Sequence, residues 1–386
     1  MSPQELVRQI HVSAGKAVIA LSGGGSGALA DLLETPGASR TLIEAVVPYC
    51  EPAMIAWLGG RPDQFCSAET ARAMAMAAFV RACKLDSRTG RDQRSRPYDP
   101  GEPLPAGIAC TAGLATDRPR RGAHRAHLAV QTADCTATWS IELRKGRRTR
   151  PEEEQLVSRI LLNTVAEACH VDARLELDLL ERERVDCLRT VAPQPWQDLL
   201  LGKIKRVDRG NQGKPIKTVF PGAFSPLHTG HRRMIAVAEE ILGAPVTLEI
   251  SIINVDKPPL DYHEIERRLG QFDAGWEVCL TRAPTFDEKS RLFPGATFIV
   301  GADTLRRIAD PRYHGDDRTA WMAALKRIAD RGCRFLAFGR DTGTGFVGLP
   351  DLDLPDILRP LCREVPQDVF REDVSSTAIR RSKPQD

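Results

Sequence analysis

Val219-Phe220-Pro221-Gly222-Ala223-Phe224-Ser225-Pro226-Leu227-His228-Thr229-Gly230-His231 is the stretch on which the fold of this chain turns. It leaves an apolar run, bends through Gly and Pro, and presents two imidazoles separated by Thr-Gly. A helix follows: Met234, Ala238, Ile241 and Leu242 fall at i, i+4, i+7 and i+8, and Gly243 stops it. A strand, a tight turn and a helix N-terminus make an anion site, because unpaired backbone N–H groups and the helix dipole both point at a ligand. Two histidines at that mouth add donors able to follow charge as it develops on a phosphate. His-x-x-His also occurs in metal pairs and in purely structural pairs. A third ligand at metal spacing is missing, since His263 and His314 sit in unrelated contexts and no Cys-x-x-Cys exists. The reading this favours is phosphate chemistry.

Outward from this stretch the C-terminal half alternates strand and helix. Strands are expected at Thr218–Pro221, Thr247–Ile253, Glu277–Leu280, Thr297–Val300 and Arg334–Phe338, with helices at His231–Leu242, Tyr262–Phe272, Thr304–Ile308 and Asp317–Asp330. Such alternation implies an α/β fold with a doubly wound parallel sheet, whose ligands bind beyond the carboxyl ends of the strands. The His228/His231 turn and Gly301-Ala302-Asp303 both fall at strand ends and converge on one rim. The N-terminal half also reads as α/β. Ala17–Ala20 is a short buried strand, and Ser22-Gly23-Gly24-Gly25-Ser26-Gly27 leads into a helix through Leu29, Leu32 and Leu33. Glu69–Ala82 and Glu152–Cys169 read as helices, and Ala126–Val130 with Thr136–Leu143 as paired strands. Lys84–Pro105 is polar and Pro/Gly-rich, a loop. The pattern breaks near 190–215, which divides the chain into a domain over 1–190, a linker over 191–215 and a domain over 216–386.

Composition bounds the partners. A chain of 386 residues holds two full cores, and 42% hydrophobic with 27% charged residues is ordinary for a globular protein. A net charge of +3 is too small to imply a nucleic-acid or membrane partner. The basic runs Arg118-Pro119-Arg120-Arg121 and Arg144-Lys145-Gly146-Arg147-Arg148 lack interleaved aromatics and read as solvated loops. Ten scattered cysteines suit free thiols in the cytoplasm. No apolar run approaches the ~18 residues of a membrane span, and no signal peptide is expected.

Gly222-Ala223-Phe224-Ser225-Pro226-Leu227-His228-Thr229-Gly230-His231 resembles the GxFxPxHxGH signature of the HxGH nucleotidylyltransferase superfamily. Val374-Ser375-Ser376-Thr377-Ala378-Ile379-Arg380 resembles its ISSTxIR, and Gly301-Ala302-Asp303 the strand-end GAD of its pyridine-nucleotide branch. Ser225 departs from the Asp or Asn of many members. The resemblance implies a Rossmann-like domain that transfers a nucleotidyl group, with ATP the expected donor, to a phosphate monoester, preferably nicotinamide or nicotinate mononucleotide. His228 and His231 would contact α- and β-phosphate oxygens. Gly222 and Phe224 would shape the nucleotide site, and Ser375, Ser376 and Thr377 would hold β/γ oxygens. Arg380 would grip two phosphate oxygens with its planar fork. Asp303 is the candidate for a ribose hydroxyl or the shell of the Mg²⁺ ion carried by the triphosphate. Lys257 is the candidate for the substrate phosphate, against a solvated turn lysine. Arg340 and Thr285 are further candidates for nucleotide contacts.

Ser22 to Ser39, with Tyr49 and Thr111-Ala112-Gly113, resembles the C-terminal amidase domain of the competence/damage-inducible CinA proteins, which deamidates nicotinamide mononucleotide. The family's ESCTGG falls on Leu21-Ser22-Gly23-Gly24-Gly25-Ser26, and its YSNxAK on Tyr49-Cys50-Glu51-Pro52-Ala53-Met54. The serine survives, but the lysine that would activate it is Met54. A serine with no base at hand is a poor nucleophile at neutral pH. The expectation is a vestigial amidase, retained for ligand binding or homo-oligomerisation. A bifunctional protein hydrolysing an amide through Ser22, and a non-catalytic nucleotide sensor, are the alternatives.

Overall fold

The computed structural model describes residues 1–86, 104–117, 122–210, 213–255, 257–314, 316–341 and 345–371. Most of the polar stretch expected as a loop over Lys84–Pro105, and the run Arg118–Arg121, lie outside them. The chain divides into two compact units, Met1–Gln197 with Asp256–Glu264, and Asp198–Val255 with Ile265–Asp386. Both are α/β. No described helix is long and apolar enough to cross a membrane.

In the first unit the elements run α1 (Pro3–Val12), β1 (Ala17–Ser22), α2 (Ser26–Glu34), α3 (Ala38–Thr41), β2 (Leu42–Val46), α4 (Glu51–Leu58), α5 (Ala68–Leu85), β3 (Ala106–Gly113), β4 (His124–Gln131), β5 (Cys135–Leu143), α6 (Arg150–Ala168) and β6 (Asp186–Val191), with α7 (Gln194–Leu200) at the boundary. The strands form one mixed sheet in the order β2-β1-β3-β4-β5-β6. β1 is parallel to both its neighbours, and the pairs from β3 to β6 are antiparallel. Leu6, Ile10, Leu156, Ile160 and Leu161 of α1 and α6 bury one sheet face, against Ile19, Ile108 and Leu128. α4 and α5 cover the other face, where Met54, Leu58, Met74 and Ala75 meet Ala20, Ala109 and Ala129. The helix α6 starts where Pro and acids favour it: Thr149 and Glu152 form a capping box and Pro151 opens the first turn.

In the second unit follow β7 (Arg206–Arg209), β8 (Thr218–Pro221), α8 (Thr229–Leu242), β9 (Thr247–Ser251), α9 (Tyr262–Leu269, whose first three residues group with the first unit), β10 (Val278–Thr281), α10 (Phe286–Leu292), β11 (Thr297–Gly301), α11 (Ala302–Ile308), α12 (Arg318–Asp330), β12 (Arg334–Phe338), β13 (Arg340–Asp341), β14 (Phe346–Val347) and β15 (Cys362–Val365). The seven-stranded sheet has the order β15-β12-β11-β8-β9-β10-β7. Its strands are parallel except for β7, an antiparallel edge. Numbered by first appearance, the parallel strands lie 6-5-4-1-2-3, the doubly wound order of the Rossmann fold. The order reverses between β8 and β11, and that reversal positions the site. Phe298, Val300, Leu305, Leu325, Phe335 and Ala337 pack the core beside it.

Candidate functional site

The reversal point joins the two motif-bearing strand ends. β8 and β11 run side by side in parallel, with Phe298 opposite Val219. β8 leads into Gly222–His231, and β11 leads into Gly301-Ala302-Asp303. Ligands of doubly wound sheets bind in the crevice outside the carboxyl ends at such a point. An added Cβ at Gly301 would meet nothing within 4 Å among the described residues.

The turn after β8 is built around one ring. Phe224 is 1% exposed and sits at φ +44°, a left-handed backbone that a bulky residue adopts only under constraint. Its ring packs edge-on to Phe220, Phe272 and His231, at centroid distances of 5.4, 5.6 and 5.2 Å. Gly222 is required by the same ring, because a Cβ there would lie 2.6 Å from it. Gln271 pins the turn from outside: its amide donates to the Phe224 carbonyl and accepts from Leu227 N–H, both at 2.8 Å. Arg267 donates to the Ser225 hydroxyl at 2.8 Å. The departure at Ser225 therefore retains a loop hydrogen bond. Gln271 and Arg267 are absent from the sequence reading, and no local pattern marks them out.

His228 is the N-cap of α8, and His231 stands three residues on. Their rings stack at 3.7 Å with 26° between planes. The backbone N–H of His228 donates to Nδ1 of His231 at 3.3 Å, which assigns the His231 proton to Nε2. Burial, then the neighbouring His228, lowers the His231 pKa to about 4. At neutral pH it is therefore an uncharged donor. His231 is half-buried against Phe220 and Phe224.

Asp303 lies in the first turn of α11, half-exposed, and accepts from Arg340. Arg306 reaches its other oxygen at 3.6 Å. A carboxylate held between two guanidiniums on this rim can accept from a ribose hydroxyl or join the shell of a cation. Thr285 caps α10, paired with Glu288 in a capping box. Lys257 falls in the segment that clusters with the first unit, where its stem lies against Gly60. Ser375, Ser376, Thr377 and Arg380 lie outside the described residues.

In the first unit, Ser22 ends β1 in register with Thr111. The glycines after it are conformationally necessary: Gly23 has φ +83°, and a Cβ there would sit 2.0 Å from the Ala112 carbonyl. Ser26 opens α2, and its N–H and hydroxyl both donate to Oε1 of Glu154, at 2.6 and 2.9 Å. Arg150 holds the same carboxylate through Oε2 at 2.8 Å and reaches the Gly23 carbonyl at 3.1 Å. The anion position of this glycine-rich turn is thus filled by the chain's own carboxylate. Met54 is 2% exposed among Ala20, Leu58 and Met74, so the position of the expected lysine is core. Tyr49 is exposed.

The sequence reading also passed over His127, which shares the sheet face of Ser22 through the register Ser22↔Thr111↔His127. Its Nδ1 bonds the Ser140 hydroxyl at 2.8 Å. Burial, then Arg125 and Arg72, lowers its pKa to about 4. Two strand spacings separate it from Ser22, roughly 10 Å between Cα atoms, which is too far for direct proton transfer. No hydrogen bond joins the Ser22 hydroxyl to a base among the described residues.

Burial pushes the Glu154 carboxyl up, but hydrogen bonds from Arg150 and Ser26 outweigh it and hold the group below the usual range. A carboxyl depressed in the folded state contributes stability above its unfolded pKa, ~4.3, and loses it as pH falls through the folded value. Glu154→Gln should therefore show its full stability deficit at pH 7 and a smaller one at about pH 3.5. Chemical unfolding at both values checks this. A deficit that does not shrink on acidification would contradict the carboxylate's role.

No protein-family model and no curated protein matches the chain. Solved structures similar to it include competence/damage-inducible proteins of the CinA superfamily. One is CihA from Agrobacterium tumefaciens, 21% identical, covering 44% of this chain and 99% of that one, with a TM-score of 0.31. A second, from Escherichia coli, is 13% identical over 43% of this chain and 90% of its own, TM-score 0.32. A third, from Enterobacter asburiae, is 14% identical over 44% and 98%, TM-score 0.32.

Proposed function

We propose that the second unit is a nucleotidylyltransferase, moving an adenylyl group from ATP to a phosphate monoester with release of pyrophosphate. The acceptor proposed is nicotinamide or nicotinate mononucleotide. The single observation that carries this reading is the meeting of two motifs at the reversal point of the sheet. There the His228/His231 turn after β8 stands beside Gly301-Ala302-Asp303 after β11. In adenylyl transfer the acceptor phosphate attacks the α-phosphorus in line and pyrophosphate leaves. The protein's part is alignment, plus donors aimed at the charge that builds on phosphate oxygens. His231 suits this as a neutral Nε2–H donor on a ring wedged by Phe224. Mg²⁺ arriving with the triphosphate would offset its charge, and Asp303 is the carboxylate on this rim able to join its shell. A matrix of nucleoside triphosphates against phosphate-monoester acceptors, scored by pyrophosphate, tests the reading and names the pair.

Arg380 would serve the triphosphate side. Arg380→Lys keeps the charge and loses the fork, so KM for the nucleotide should rise while acceptor KM moves little. Steady-state kinetics with each substrate varied in turn checks it. A selective loss of acceptor affinity would put the C-terminal motif on the other substrate.

Ser22, retained at a strand end before a glycine-rich helix start, sustains a second reading: amide hydrolysis in the first unit. The buried Met54 and the carboxylate of Glu154, which α6 brings to the start of α2, weigh against it. Ammonia released from nicotinamide mononucleotide, compared with a Ser22→Ala control, separates the two.

A further inference from the structure

We infer that Gln271 is the positioning residue of the phosphate turn. Its kinetic consequence rests on the transferase reading above. Its structural consequence does not. Two residues, Ser225 and Pro226, lie between Phe224 and Leu227, and the segment belongs to no helix or strand. One primary amide satisfies both ends, donating to Phe224 and accepting from Leu227 at 2.8 Å each. Arg267 holds the middle through the Ser225 hydroxyl. Gln271 is itself steadied by its Nε2 contact to the Arg268 carbonyl at 3.3 Å.

The turn needs such a clamp for a physical reason. Phe224 holds a left-handed backbone, and backbone strain of this kind persists only where the surroundings over-determine it. Burial of its ring fixes the side chain, and the Gln271 bond fixes its carbonyl. His228 follows Leu227 directly, so the second bond sets where the histidine pair starts. Chemical type and length both matter. A Glu at 271 accepts from Leu227 but turns an anion on the Phe224 carbonyl, and a Leu fills similar volume with neither bond.

The test uses the full chain as Gln271→Leu and Gln271→Glu. In Gln271→Leu, amide hydrogen exchange across residues 224–231 should rise tenfold or more, with exchange in β8 and the body of α8 unchanged. In kinetics, kcat should fall by roughly 100-fold, the cost of misplacing a reacting group by about 1 Å, with a smaller change in KM. Gln271→Glu should show an intermediate exchange rate. Unchanged exchange across 224–231 in a folded Gln271→Leu would overturn the clamp whatever the activity. Wild-type protein inactive with every triphosphate would defeat the transferase reading and leave the clamp to be judged by exchange. Faster exchange with kcat unchanged would show that the turn's position does not govern the reaction, and would overturn the positioning role.

Discussion

His231→Ala is expected to lower turnover by two or more orders of magnitude. In the proposed transfer the ring would supply one donor to charge that develops only in the transition state, and losing such a donor costs ~2.7–4 kcal/mol. The half-buried ring also packs on Phe220 and Phe224 at 5.9 and 5.2 Å, so some stability is lost with it. Thermal unfolding of the variant separates the two effects, because a folded protein with collapsed turnover isolates the chemical role. With the His231 pKa lowered to about 4, wild-type kcat/KM should show no limb from this group between pH 5.5 and 8. Near-wild-type turnover in the alanine variant would remove the phosphate-donor assignment.

The second large effect concerns the sheet beneath the turn. Glu249 of β9 and Lys289 of α10 form an ion pair that is 1% and 5% exposed. The Lys289 ammonium donates to both carboxylate oxygens and to the Ala283 carbonyl, each at 2.8 Å, and Thr281 donates to the same carboxylate. All three ammonium protons are therefore used. Removing one partner of a buried pair leaves a charge that nothing compensates, at a cost of about 3–5 kcal/mol. Lys289→Met should destabilise the second unit by that amount, and Lys289→Met/Glu249→Leu should recover most of it. Urea unfolding, read on the transition of the second unit, checks both variants. A loss below about 1 kcal/mol in the single variant would show that the pair is hydrated or rearranges freely.

What the sequence disclosed follows from how each segment is buried. β8, β9, β11 and β12 were legible because parallel strands covered on both faces read as continuous apolar runs; β12 occupies Arg334–Phe338 as expected. The edges were not. β7 reads Arg-Val-Asp-Arg and β15 reads Cys-Arg-Glu-Val, and neither carries a run. β3 escaped for a different reason. Its Ala-Gly-Ile-Ala-Cys-Thr-Ala-Gly has few strand formers, yet it is central, and α5 lies so close that a Cβ at Gly107 would sit 2.1 Å from the Ala75 carbonyl. Small residues there serve helix–sheet contact, a tertiary demand that local propensity does not express. α10 did carry a signal in Thr285-x-x-Glu288, a capping box that was read as a ligand contact instead.

The candidate site divides the same way. Gly222, Phe224, His228, His231 and Asp303 are local to two motifs, so sequence could find them. The partners that hold them come from elsewhere in the chain: Gln271 lies 47 residues from Phe224, and Arg340 lies 37 from Asp303. The self-filled turn of the first unit is likewise non-local, since Glu154 is 128 residues from Ser26. Motif reading finds the groups within a motif and misses what sets their position.

The most direct test of the central claim is pyrophosphate formation by the full chain from ATP, Mg²⁺ and nicotinamide or nicotinate mononucleotide. The account predicts pyrophosphate and dinucleotide in equal amounts, undiminished by Ser22→Ala and abolished in His228→Ala/His231→Ala. A folded wild-type protein that releases no pyrophosphate with any triphosphate and acceptor, or a double variant that still does, would contradict it.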